Sequence, residues 1–222
     1  MDTQLFQINV KEIRNIYFVG RNYIEHVEEL HSQRPEHPLI FNKPVATIAH
    51  DYKIPYPAHS TLLHFEGEMV FVLARDSGVA EGSEMLVGSG IDFTARDVQN
   101  IAKEKGLPWF EAKSFRGSTA ISDRFFKCRV TDFKHLSIQT TVNGKIRQKG
   151  SYPQKLFTLA DILTHLKRVV DIVDGDLLFT GTPSGVGEVK RGDIVEVTLL
   201  FKNEIKTKLT CEVNSIKLGY VV

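Results

Sequence analysis

Seven short runs rich in Val, Ile, Leu, Phe and Thr recur along this chain: Ile16–Val19, Leu39–Phe41, Leu62–Leu73, Leu136–Val142, Leu177–Thr180, Ile194–Leu200 and Glu204–Ile216. β-Branched and aromatic side chains suit a pleated, half-buried surface, so this run-and-turn pattern commits most of the core to sheets. Asn143-Gly144 lies between Ser137–Val142 and Lys145–Gln148 and predicts a type I′ hairpin turn, which needs positive φ at both central residues. Val173-Asp-Gly-Asp176 and Lys190-Arg-Gly-Asp193 likewise set Gly-Asp turns just ahead of apolar strands. Helical spacing is confined to Asn22–Leu30, Thr94–Lys105 and Thr158–Val169, where Leu159, Ile162, Leu163 and Leu166 follow a Thr cap. Strands and helices do not alternate regularly, which argues against a doubly wound sheet or a β/α barrel. The predicted fold class is therefore mainly β with short helices, an α+β arrangement. At 222 residues the chain can bury one full core, and no Pro/Gly/Ser-rich linker divides it, so a single domain over residues 1–222 is expected.

Charge narrows the partners. Lys and Arg number 28 against 27 Asp and Glu, a balance that does not favour nucleic acid as a partner. The longest apolar run, Met69–Ala74, is far short of the roughly 20 residues that span a bilayer, so no membrane partner is expected. Met1-Asp2-Thr3-Gln4 has neither the basic nor the apolar region of a signal peptide, which points to the cytoplasm. Cys128 and Cys211 have no second ligand at chelating spacing and read as structural thiols in a reducing compartment.

Five segments could carry chemistry. Glu66-Gly-Glu68 opens the apolar run to Leu73, and on a strand residues i and i+2 share a face, roughly 7 Å apart at the Cα. A divalent cation would relieve the repulsion, and oxygen ligands suit Mg²⁺, Mn²⁺ or Ca²⁺. A solvated strand face is the competing reading. Asp92 stands where a strand runs into a helix and could join the two glutamates, although capping that helix is an alternative job. His26 and Glu29, at i and i+3, would share a helical face and could form a general base, or an ordinary surface pair. Lys113, amid aromatic residues, and Arg21 could add positive charge to a cleft, though such a lysine can equally snorkel to solvent. The glycine-rich turn Phe179-Thr-Gly-Thr182-Pro-Ser-Gly-Val-Gly187 could grip an anion or serve only as a turn, and it lacks the features of a nucleotide-binding loop.

Taken together and in order, Gly20-Arg-Asn-Tyr-Ile-Glu-His26, Glu66-Gly-Glu68, Asp92-Phe-Thr-Ala-Arg-Asp97, Lys113-Ser-Phe115, Val142-Asn-Gly with Arg147-Gln148, and Thr180-Gly-Thr-Pro-Ser-Gly-Val-Gly187 followed by Gly192-Asp193 resemble the fumarylacetoacetate hydrolase family. The similarity is to its short single-domain members. Gly106-Leu-Pro-Trp109 ahead of Ala112-Lys-Ser-Phe115 is most like the acylpyruvase/oxaloacetate decarboxylase branch. The resemblance implies the mixed β-sheet roll of the family's C-terminal domain, usually a homodimer. It implies Glu66, Glu68 and Asp92 as ligands of Mg²⁺ or Mn²⁺, His26 with Glu29 as a water-activating pair, and Lys113 as the substrate-polarising lysine. Thr182 would contact the substrate carboxylate, with Arg21 and Gln99 as further substrate contacts.

The implied reaction is metal-dependent cleavage of the C3–C4 bond of small 2-oxo acids through a metal-bound pyruvate enolate, by acylpyruvate hydrolysis, oxaloacetate decarboxylation or both. A hydratase or isomerase of unsaturated 2-oxo diacids is the alternative among enzymes, and a non-catalytic carboxylate-binding domain the alternative outside them. Three carboxylates on one divalent ion would leave one net negative charge and open coordination positions for a chelating 2-oxo acid. Two stretches depart from the family pattern. Ser114-Phe-Arg-Gly-Ser-Thr-Ala-Ile121 lacks a proline-containing run, and Ser151-Tyr-Pro-Gln154 replaces a Thr-containing turn. Both are expected to line the substrate mouth.

Overall fold

The computed structural model describes residues 5–25, 34–49, 51–76, 78–80 and 82–214. In chain order its strands are β1 (Leu5–Gln7), β2 (Ile16–Gly20), β3 (Leu39–Lys43), β4 (Lys53–Pro55), β5 (Leu63–Phe65), β6 (Gly67–Leu73), β7 (Glu84–Asp92) and β8 (Thr94–Ala95). They continue with β9 (Thr119–Ile121), β10 (Arg124–Arg129), β11 (Leu136–Val142), β12 (Lys145–Ser151), β13 (Asp176–Phe179), β14 (Gly187–Glu188), β15 (Ile194–Phe201) and β16 (Glu204–Asn214). The helices α1 (Arg96–Glu104), α2 (Phe110–Lys113, a single turn) and α3 (Leu159–Leu166) complete the described elements used below. The class is the one expected, mainly β with short helices and mixed sheets.

The large sheet runs β1-β10-β7-β6-β13-β2-β3, with β9 added alongside β7. It is mixed, because β13 pairs parallel with β2 and antiparallel with β6. A second sheet runs β12-β11-β15-β16-β4, and a small third one β14-β5-β8. In β11 every second residue is buried, so one face of the second sheet meets the core and the other meets solvent. Central strand β6 is buried along nearly its whole length. Its Met69, Phe71 and Leu73 enter the core shared with Ile138, Val197 and Leu209 of the second sheet, whereas Val70 enters a separate cluster with Phe18, Phe125 and Phe179. A strand with core on both sides reads as a continuous apolar run, which is why Met69–Leu73 shows no alternation.

The Asn143-Gly144 turn forms as expected, with φ of 50° and 74°, and Val142 pairs with Lys145 across it. Thr158 caps α3 through the Asp161 N–H, and the helix ends at Leu166 rather than Val169. Two boundaries differ in ways that build the site. The run Leu62–Leu73 is two strands: β5 pairs with β8 and β14, β6 pairs with β7 and β13, and the chain changes sheet at Glu66. Thr94 and Ala95 are strand residues paired with His64 and Leu63, so α1 starts at Arg96, whose N–H donates to the Leu62 carbonyl.

Candidate metal centre

The sheet change at Glu66 brings the three acids together. The Glu66 carbonyl accepts the Asp92 N–H at 2.9 Å, and the next registered pairs are Gly67 with Ile91 and Glu68 with Gly90. Asp92 ends β7, as expected, and Gly88 and Gly90 share its face of the strand. Their missing side chains admit aromatic rings: a Cβ on Gly90 would lie 2.4 Å from Phe179 Cε1, and one on Gly88 2.9 Å from Phe125. Glu66 is not on a strand, so the i, i+2 argument is replaced by a bend, yet both glutamates reach one cluster. Ligand oxygens of Glu66, Glu68 and Asp92 lie within 4.8 Å of one another, and all three residues are buried. Solvated-face and helix-capping readings are thereby excluded for these acids.

Positive charge surrounds two of them. Lys113 Nζ donates to Glu66 Oε2 at 2.8 Å, Asp92 Oδ2 at 2.6 Å and Thr94 Oγ1 at 2.7 Å, which uses all three of its hydrogens. Burial works against that charge, but Asp92 and Glu66 outweigh it and raise the Lys113 pKa above the usual lysine value. Lys43, fully buried, pairs with Asp92 Oδ1 at 2.5 Å and donates to the carbonyls of Ser118 at 2.8 Å and Phe93 at 3.2 Å. Its burial pulls its pKa down to about 8, against the attraction of Asp92. Arg96 donates to Glu66 Oε1, to the Gln99 side-chain oxygen and to His64 Nδ1. Three positive groups therefore meet two of the acids, Glu66 and Asp92, in contact, and counted with the third, Glu68, the charges balance, which corrects the net negative balance expected from the carboxylates alone.

Glu68 stands differently. Its Oε2 accepts the Gly181 N–H at 2.6 Å, and among the described residues no cation pairs with it. Burial, then Asp92 and Glu66, raise its pKa well above 4.5. The other face of the Thr180–Gly181 peptide is tied down too, its carbonyl accepting Asn22 Nδ2 at 2.9 Å and Lys155 Nζ at 3.0 Å. Thr182 donates to the Gly67 carbonyl at 2.9 Å and accepts Gln148 Nε2 at 2.7 Å, so the Gly-rich turn is stitched to the strand that carries Glu68.

These groups border a cavity of about 420 Å³, measured out to its open mouth. Arg21, Gln99, Lys113 and Thr182 all line it with the three acids. Arg21 holds a left-handed φ of 57° where β2 leaves the sheet, a costly conformation for a non-glycine residue. His26 and Glu29 lie outside the described residues, as does most of the expected helix Asn22–Leu30. Neither departing stretch, 114–121 or 151–154, lines the cavity, contrary to expectation; its wall is made instead by Phe41, Trp109 and Lys103. Ser118 faces Lys43, and the 152–154 turn leads into Lys155 behind Gly181. Lys43, Lys103 and Lys155 carry no signal in the sequence reading, and Gln148 enters it only as part of the Arg147-Gln148 motif. Asp97, a neighbour of the motif, serves the scaffold: it accepts Ser60 Oγ at 2.5 Å and Thr61 N at 2.8 Å.

Residues 15–217 match the family described as fumarylacetoacetate (FAA) hydrolase C-terminal. The chain belongs to the fumarylacetoacetate hydrolase family. It is 38% identical over 189 residues to the oxaloacetate tautomerase FAHD1, mitochondrial, of Bos taurus, covering 82% of this chain and 86% of that protein. It is 34% identical over 190 residues to the oxaloacetate decarboxylase, mitochondrial, of Dictyostelium discoideum, covering 82% and 87%. Among solved structures it is similar to fumarylpyruvate hydrolase from Pseudomonas aeruginosa in complex with Mn²⁺ and pyruvate, with a TM-score of 0.81, 30% identity and coverage of 91% and 90%.

The residues fit the divalent ion of that family relative. Three converging buried carboxylates offer hard oxygen donors, and the Asp92 Oδ1 atom is buried without a hydrogen bond, its contact with Lys43 lacking hydrogen-bond geometry. A cation is what an unpaired, repelled Glu68 lacks. The triad of this family member could therefore bind a divalent metal.

Proposed function

We propose that this chain is a single catalytic domain that cleaves the C3–C4 bond of small 2-oxo acids, by oxaloacetate decarboxylation, acylpyruvate hydrolysis or both, using Mg²⁺ or Mn²⁺ held by Glu66, Glu68 and Asp92. The observation that carries this reading is the convergence of those three carboxylates in one cavity with Lys113 placed against two of them. A bound divalent ion supplies a Lewis acid for the substrate's carboxylate and C2 carbonyl. Lys43, Lys113 and Arg96 together offset the charge of the triad, so with the ion bound the site would carry net positive charge and complement an anionic substrate.

The protein's own groups do the rest. Thr182 binds and orients the substrate carboxylate, with Gln99 and Arg21 as further substrate contacts. Lys113 holds Glu66 and Asp92 in place and sets positive charge beside the C2 oxygen, where negative charge develops. In decarboxylation the C3–C4 pair moves to C3, CO₂ departs, and C3 takes up a proton to give pyruvate. In hydrolysis His26, oriented by Glu29, takes a proton from water, whose oxygen adds to C4; cleavage then yields pyruvate and a carboxylic acid. These two roles rest on the sequence motif.

A second reading, keto–enol interconversion of oxaloacetate, is favoured by the name of the Bos taurus relative, because moving a proton at C3 develops the same charge at C2. Buried, unpaired Cys128 and Cys211 suit a reducing cytoplasm, and exposed Ile101, Leu107 and Phe110 offer apolar surface for a homodimer. The test is pyruvate release from oxaloacetate and from acetylpyruvate with Mg²⁺, with Mn²⁺ and after chelation, alongside ultraviolet absorbance of the oxaloacetate enol. Metal-dependent pyruvate release is expected. Enol loss without pyruvate would transfer the assignment to tautomerisation, and no change in either substrate would overturn both readings.

A further inference from the structure

Not every cation in the cavity is used by the acids. Lys43, Lys113 and Arg96 are in contact with carboxylates, while Arg21 and Lys103 line the same cavity without an ion pair among the described residues. Lys103 lies in the last turn of α1, four residues beyond Gln99 and seven beyond Arg96, so these three share the helix stripe that faces the cavity.

An aromatic wall fixes where Lys103 sits. Phe41 and Trp109 meet edge to face with centroids 6.0 Å apart. Lys113 Nζ stands over Phe41 at 5.2 Å, and Lys103 Nζ over Trp109 at 5.7 Å. One ammonium thus sits at the acid triad and the other one ring further along the wall. Lys103 is half-buried, and the strongest charges acting on it are mostly positive, Arg96, Arg21 and Lys113, with Glu66 opposing them. Partial burial and that repulsion pull its pKa down to about 8. An unpaired, repelled, partly desolvated cation is costly, and an anionic ligand group beside it removes the cost.

We propose that Lys103, assisted by Arg21, is the specificity-determining residue that binds a second, distal anionic group on the substrate, so that the site selects 2-oxo dicarboxylates over 2-oxo acids with a neutral distal end. This rests on the function proposed above for the metal end of the cavity. It makes the Trp109 wall the support that keeps the long lysine stem in place, and it divides the cavity into a reacting end and an anion-reading end.

The test compares Lys103→Met and Lys103→Arg with wild type. kcat/KM is measured for oxaloacetate, which carries a distal carboxylate, and for acetylpyruvate, which carries a neutral acetyl group. Lys103→Met is expected to lose roughly 10- to 100-fold on oxaloacetate, through KM, and to stay within about threefold on acetylpyruvate, the loss matching one charge-assisted contact. Lys103→Arg should keep the wild-type preference. Oxalate, which needs only the metal end, should bind both variants as it binds wild type in calorimetry with Mg²⁺. Equal losses on both substrates, or none on either, would overturn the proposal. If wild type turns over neither, the function proposed above fails, and L-malate against 2-hydroxybutyrate, which differ in the distal carboxylate, still decides this one. Preferential L-malate binding that Lys103→Met abolishes supports it, and equal binding of the two by wild type refutes it.

Discussion

Replacing Glu68 by Gln should stabilise the metal-free protein while removing its response to metal. Glu68 is buried at 2% exposure, and burial with Asp92 and Glu66 raises its pKa well above 4.5. Between that ordinary value and the raised one, the native state binds a proton that the unfolded chain has released, so native stability falls as pH rises. The slope is about 1.4 kcal/mol per pH unit, and from 4.5 to pH 7 the cost reaches at most about 3 kcal/mol. Repulsion is sufficient to reach it, because two like charges 4.8 Å apart repel by roughly 3 kcal/mol at an effective dielectric constant near 20, and Glu68 has two such neighbours. Gln keeps an oxygen for the Gly181 N–H and carries no charge. In chelator at pH 7 the variant should therefore be more stable by up to about 3 kcal/mol, a melting shift of roughly 6–12 °C. The difference should shrink towards pH 4.5. Mn²⁺ at 100 times its Kd should add about 2.7 kcal/mol to wild type and nothing to the variant. Thermal and urea unfolding from pH 4.5 to 8, with EDTA or Mn²⁺, reads both effects. A wild type as stable as Glu68→Gln in EDTA at pH 7 would refute the reasoning.

His26→Gln should lower kcat for acylpyruvate hydrolysis by roughly 100-fold or more while oxaloacetate decarboxylation changes little, since only hydrolysis needs a base to make a nucleophile; equal losses in paired assays would remove that role. Gly90→Ala should destabilise by about 1–3 kcal/mol in urea unfolding, because its Cβ would lie 2.4 Å from Phe179 and 2.6 Å from Val70, and a neutral outcome would mean that the aromatic packing behind Asp92 yields easily.

Much of this was legible in the chain itself. Strand-forming runs, the Asn143-Gly144 turn and the Thr158 cap are local signals, set by side chains acting on their own backbone or on neighbours a few positions away. The acids Glu66, Glu68 and Asp92, with Lys113 and Thr182, stood out through residue type and order, and the structure places all five on one cavity. What the sequence by itself determined, then, was the β class and the inventory of chemical groups. Only the tertiary structure decided how they meet: the sheet change at Glu66, the Glu66–Asp92 backbone bond, and the pairing of Asp92 with Lys43 from a distant strand. It also decided that Glu66 and Asp92 are paired with cations in contact while Glu68, Arg21 and Lys103 have no ion pair among the described residues. The physical reason is that turn and strand preferences act over a few residues, whereas charge balance and burial depend on groups that only long-range sheet pairing brings within a few ångströms.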